Sequence, residues 1–84
     1  MNAHETCLRS ALRLLRADRT LSPVRAVDTV CDDTLTRREV FLDLEARLPR
    51  GHFSLEYYWQ MNRPGLLAIF ERAIAEEAAR GVVP

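Results

Sequence analysis

In TRREVFLDLEARLPRG, residues 36–51, the apolar side chains of Val40, Phe41, Leu44 and Leu48 recur every three or four positions. That is the helical period, and it gathers these residues on one face that must be buried. A strand would instead place alternate residues on one face. The same spacing occurs near the start of the chain, where Leu8, Ala11, Leu12 and Leu15 share a face flanked by Cys7 and Leu14. Arg9, Arg13 and Arg16 take the opposite side, which predicts an amphipathic first helix over about residues 3–17. Leu66, Leu67, Phe70, Ala73 and Ile74 form a further stripe of this kind towards the C-terminus.

Local signals predict where these helices begin and end. Thr36 is expected to cap the second helix, with Glu39 three residues on completing a capping box and Leu35 and Val40 forming a hydrophobic staple. Asp43, Glu45 and Arg47 are expected to face water, and Pro49-Arg50-Gly51 to end the helix. Ser54 reads as the cap of a short third helix bearing Leu55, Tyr58 and Trp59. Asn62 caps a fourth, with Pro64 in the first turn and Gly81 at the stop. Between the first two helices, Ser22-Pro23 favours a turn or extended chain. Leu21, Val24, Val27 and Val30 still recur every three residues, so residues 18–33 are expected to form a long linker pinned across the bundle. The expected fold is one all-α domain over residues 1–84: a small four-helix bundle with a long first loop and a short third helix.

Composition narrows the function. The chain is 48% hydrophobic and 29% charged, which is globular usage. Twelve acidic residues balance twelve basic ones, all arginine, a usage that suggests a GC-rich bacterial genome. A neutral chain whose arginines are interleaved with acids argues against nucleic acid as partner. No apolar run is long enough to cross a bilayer and no signal-peptide core opens the chain. Cys7 and Cys31 are too few for a disulfide scaffold and lack metal spacing, so they are expected as reduced thiols of a cytoplasmic protein. His4 and His52 are the only imidazoles, one near the terminus and one beside a turn glycine. No catalytic residue is assigned, and the chain is not expected to be an enzyme. Cys31-Asp32-Asp33 does not supply the ligand shell of calcium or structural zinc. Tyr57, Tyr58 and Trp59 are expected in the core or at a protein contact.

One hydroxyl remains, that of Thr34 in Asp33-Thr34-Leu35. Asp33, Thr34 and Thr36 all suit the free N–H groups that open a helix, so capping alone explains them. The stretch also resembles the Asp-Ser-Leu motif and second helix of the acyl carrier protein family. Glu39 lies six residues after Asp33, as the family's glutamate follows its aspartate, and EVFLDLE resembles the family's second helix. Asn62-Arg63-Pro64-Gly65-Leu66-Leu67-Ala68-Ile69-Phe70 is similar to the start of its fourth helix. The resemblance covers essentially the whole chain and implies a carrier module. Thr34 then matches the serine that receives a 4′-phosphopantetheine arm from coenzyme A, with Asp33 and Leu35 beside it. It implies as partners a Mg²⁺-dependent phosphopantetheinyl transferase, a ligase or acyltransferase, and a synthase. Arg37, Arg38, Val40 and Phe41 would lie near the docking surface of a monomeric carrier. It also implies a third helix packed beneath Thr34.

The chain departs from the family at three places. Threonine replaces serine, and the added methyl crowds and stiffens the hydroxyl-bearing carbon. Cys31 stands where the family has a glycine, which constrains the loop. Arg37 and Arg38 occupy the first turn of a helix that carriers keep acidic, and they oppose the helix dipole. The alternative function is therefore a carrier-like interaction module, unmodified, with Thr34 only a helix cap. A second serine, Ser54 in Gly51-His52-Phe53-Ser54-Leu55, loosely resembles a peptidyl-carrier motif, but the spacing has one residue too many and Ser54 reads better as a cap.

Overall fold

The computed structural model of the chain describes residues 1–81, which are helix and turn without strand. Five helices follow in order: α1 (Ala3–Ala17), α2 (Pro23–Val30), α3 (Thr34–Ala46), α4 (Leu55–Met61) and α5 (Arg63–Arg80). α1 is the organising element and packs against α2, α3 and α5. Asn2 caps it by accepting the Glu5 amide, and its predicted face is buried from Cys7 to Leu15. At its other end Arg63 donates to the Leu15 carbonyl, which no residue of α1 can satisfy.

The expected linker is a helix, so the bundle has five helices rather than four. α2 is eight residues long, and Ser22-Pro23 opens it instead of breaking the chain. The Ser22 hydroxyl accepts the Arg25 amide at 3.2 Å. Pro23 occupies the first helical position, where its missing N–H loses nothing. A helix this short is marginal in isolation. Burial of Pro23, Ala26 and Val27 in the contact with α1 supplies what its length does not.

α3 starts three residues earlier than the sequence suggests. Its cap is Asp33, not Thr36, and Thr34 is the first helical residue. The Asp33 carboxylate takes both the amide and the hydroxyl of Thr36, so no Thr36–Glu39 capping box forms. The staple is absent too: Leu35 is 64% exposed while Val40 is fully buried. α3 ends at Ala46, and Gly51 turns the chain with φ of 89°. That left-handed conformation suits glycine and strains other residues.

The caps expected for the last two helices are in place. Ser54 accepts the Tyr57 amide, and Asn62 accepts the Gly65 amide. α4 packs on α2 and α5, and these are its main neighbours. Leu66, Phe70, Ala73 and Ile74 are buried as expected, Ile69 joins them, and Leu67 is half-buried. Phe70, Leu8, Leu15, Leu44 and Leu66 are the largest side chains fully enclosed in the core.

Asp43 and Arg47 do not face water as expected. His4 donates through Nε2 to Asp43 at 3.0 Å, and its Nδ1 lies 3.7 Å from Glu77. Arg47 donates through Nε to the same Asp43 at 2.8 Å and also pairs with Glu76. Burial works against the Arg47 charge, but its bonds to Glu76 and Asp43 outweigh that and raise its pKa. The result is a polar tie between α1, α3 and α5. His4 is held by this tie within α1 rather than lying at a frayed end.

Candidate functional site

The opening of α3 is built by the side chain that precedes it. Asp33 Oδ2 accepts the Thr36 amide at 2.8 Å and the Thr36 hydroxyl at 2.7 Å. These bonds hold the Asp33 carboxyl below the usual carboxylate range, and Arg37 one turn on adds to the effect. The capping expected of Thr34 therefore falls to its neighbour. Thr34 is exposed, and among the described residues its hydroxyl has no hydrogen-bond partner. A free hydroxyl at the first turn of a thirteen-residue helix sits where the positive end of the helix favours an attached phosphate. Asp32 and Asp33 beside it are exposed carboxylates that oppose such a charge.

The other residues assigned to this region separate. Leu35 is exposed beside Thr34, and Arg38 and Leu42 follow on the same face at helical spacing. Leu35 and Leu42 are 64% and 58% exposed, so α3 presents two unburied leucines around one arginine. Phe41 is half-buried and lines a groove of about 390 Å³ with Val24, Phe53 and Leu55. Val40 does not belong to a docking surface: it is fully enclosed in the core. Its position, four residues after Thr36, places it on the face turned to α1 and α5. Arg37 is half-buried, its Nε lacks a hydrogen-bond partner, and an Asp28 oxygen lies 3.9 Å away.

A second cavity, of about 240 Å³, lies next to this opening. Asn2 and Cys7 of the N-terminal region line one side, and Val30, Cys31, Asp33 and Thr36 line the other. Both cysteines are buried free thiols. Burial pushes the Cys7 thiol up to about 12, the adjacent Cys31 thiol adds to the rise, and the Arg37 guanidinium acts the other way. Their proximity was not visible in the sequence, where 24 positions separate them. The one signal was that Cys7 lies on the apolar face of α1 and Cys31 ends the apolar series of α2.

The remaining polar candidates lie away from the opening of α3 or in its supporting turns. His52 packs its ring against Tyr57 and Tyr58, with centroids at 6.5 and 5.2 Å. Tyr58 is buried, Trp59 half-buried and Tyr57 exposed, so the aromatic run divides between core and surface. Ser54 is engaged as the α4 cap. Among the described residues no three His, Cys, Asp or Glu side chains gather as a metal site, and no helix is long and apolar enough to cross a membrane. Comparison with protein-family models, with curated proteins and with solved structures found no match for this chain.

Proposed function

We propose that this chain is an acyl-carrier-like module that holds a 4′-phosphopantetheine arm on Thr34 and delivers thioester-bound intermediates to biosynthetic enzymes. The observation that carries this reading is the Thr34 hydroxyl, exposed at the first turn of α3 and relieved of capping by Asp33. The order of helices is compatible with it: a long first helix, a short one, a long helix opening at Thr34, a second short helix, then a long last one. When attached, the arm supplies a thiol that carries an acyl group as a thioester. The chain's own part is to present the hydroxyl, to orient it through the Asp33 cap, and to offer Leu35, Arg38 and Leu42 to a partner. Arg38 on this face favours a partner with acidic residues.

A second reading is kept because one observation favours it. Leu35 and Leu42 are exposed on the outer face of α3 whether or not Thr34 is modified. The same face serves an unmodified interaction module that docks on a partner enzyme, with Asp33 rather than Thr34 as the cap.

Intact mass after incubation with coenzyme A, Mg²⁺ and a broad-specificity phosphopantetheinyl transferase tests both. The carrier reading expects the chain to gain one phosphopantetheinyl group and Thr34→Ala to gain none. Modification of Thr34→Ser alone leaves the docking reading standing, because the added methyl misplaces the nucleophile. Failure of both the native chain and Thr34→Ser overturns the carrier fold.

A further inference from the structure

We propose that Cys7 and Cys31 form an oxidisable dithiol, which a small-molecule disulfide of the glutathione class converts to an internal bridge beside the opening of α3. The inference does not depend on the carrier reading, which uses neither cysteine.

The placement comes from two helices. Cys7 lies on the inner face of α1, and Cys31 is the C-cap of α2, where its amide donates to the Val27 carbonyl. α1 and α2 pack on one another, and this contact brings both side chains into the core at 4% and 5% exposure. Both thiols line the cavity whose other walls include Asn2, Asp33 and Thr36. They are near enough that Cys31 acts on the ionisation of Cys7. A pair of buried free thiols has thiol–disulfide chemistry open to it. Arg37 is the nearby cation, and its charge acts against the rise that burial and Cys31 impose on Cys7.

The reaction balances in two exchanges. Cys31, at the C-cap of α2, gives up its proton and attacks one sulfur of the small disulfide. The S–S bond breaks, one small thiolate leaves and takes up a proton, and Cys31 holds the other half as a mixed disulfide. Cys7 then gives up its proton and attacks the Cys31 sulfur, expelling the second small thiol. Two protein thiols lose two electrons and two protons, and one small disulfide becomes two thiols. Once formed, the bridge ties the C-cap of α2 to α1, three residues before Thr34.

The full folded chain is equilibrated in glutathione buffers with a rising oxidised share, then blocked with an alkylating reagent and mapped by peptide mass. The proposal expects a monomer lighter by two hydrogens, with no alkylatable thiol and with the Cys7 peptide joined to the Cys31 peptide. Cys7→Ala is expected to stop at one bound glutathione on Cys31. The native map decides the matter even where that variant folds poorly. Two alkylatable thiols persisting in the most oxidising buffer, glutathione retained on the native chain, or a bridge between two chains each overturns it.

Discussion

Asp33 holds Thr36 by two bonds, amide and hydroxyl, at 2.8 and 2.7 Å, and among the described residues the Thr34 hydroxyl between them has no partner. Capping and presentation are thus divided between adjacent residues. Asp33→Ala is expected to lower stability, as removal of such a cap does. Thr34→Ala removes an exposed hydroxyl and is expected to stay within about 0.5 kcal/mol of the native chain. Urea unfolding of the two variants checks this. A larger loss at Thr34 than at Asp33 would mean that the roles are reversed.

The same cap sets an acid response. Hydrogen bonds from Thr36 lower the Asp33 pKa in the folded state, so the folded chain binds a proton there less readily than the unfolded one. The stabilisation is therefore complete above the unfolded value of about 3.9 and is lost as pH falls through the lower folded value. Asp33→Asn keeps a capping oxygen without the titration. Melting curves from pH 6 downward should show the native chain losing its advantage over Asp33→Asn below about pH 4. Parallel pH profiles would remove Asp33 from the acid response.

Gly65 has no room for a side chain. A Cβ there would sit 2.4 Å from the Tyr58 hydroxyl and 2.5 Å from the Asn62 amide nitrogen. Asn62 is the cap of α5, and its Nδ2 also donates to the Tyr58 hydroxyl at 3.3 Å, so neither neighbour is free to move away. Gly65→Ala is expected to destabilise by about 1–3 kcal/mol, as overpacking does. Adding Tyr58→Phe removes one of the colliding atoms and should recover part of that loss, a coupling that a double-mutant cycle reads. Strict additivity of the two changes would show that the hydroxyl is not the obstacle.

The parts of this fold that were legible in the sequence are those set by near neighbours in the chain. The faces of α1 and α5 follow from their period, and the Ser54 and Asn62 caps from a single side chain each. α2 was not legible because Ser-Pro opens a helix or breaks one by the same local chemistry. Burial of Ala26 and Val27 in the α1 contact decides between them, and that is a tertiary fact. At α3 two capping side chains, Asp33 and Thr36, stand three residues apart, and the carboxylate wins by taking both groups of the threonine. The exposure of Thr34 follows from that contest. The docking role that the resemblance implies for Val40 conflicts with the helical period, which puts Val40 on the buried face with Leu44, and the period prevails.

The helical period gives Val40 and Leu42, on opposite faces of α3, opposite consequences. Val40→Ala is expected to lower stability by about 1–3 kcal/mol, because the site is fully enclosed. Leu42→Ala, at 58% exposure, is expected to change the melting temperature little. It should instead weaken capture of whichever enzyme binds α3, measured by titration against that enzyme. Loss of stability at Leu42 would mean that this face is already covered.

The polar tie among α1, α3 and α5 rests on Asp43, which receives His4 Nε2 at 3.0 Å and Arg47 Nε at 2.8 Å. Removing its carboxylate leaves both donors without their shared acceptor, and each is only partly open to water. Arg47 retains Glu76, and the His4 Nδ1 retains Glu77 at 3.7 Å, so the loss is partial. Asp43→Ala is expected to destabilise by about 1–3 kcal/mol, the range for a buried donor left unmet. His4→Ala alone removes the long-range arm of the tie, which spans 39 positions of the chain. If the two residues act through one another, the double variant will lose less than the sum of the single losses by at least about 0.5 kcal/mol. A sum that closes within error would show that α1 is held to α3 by apolar packing alone.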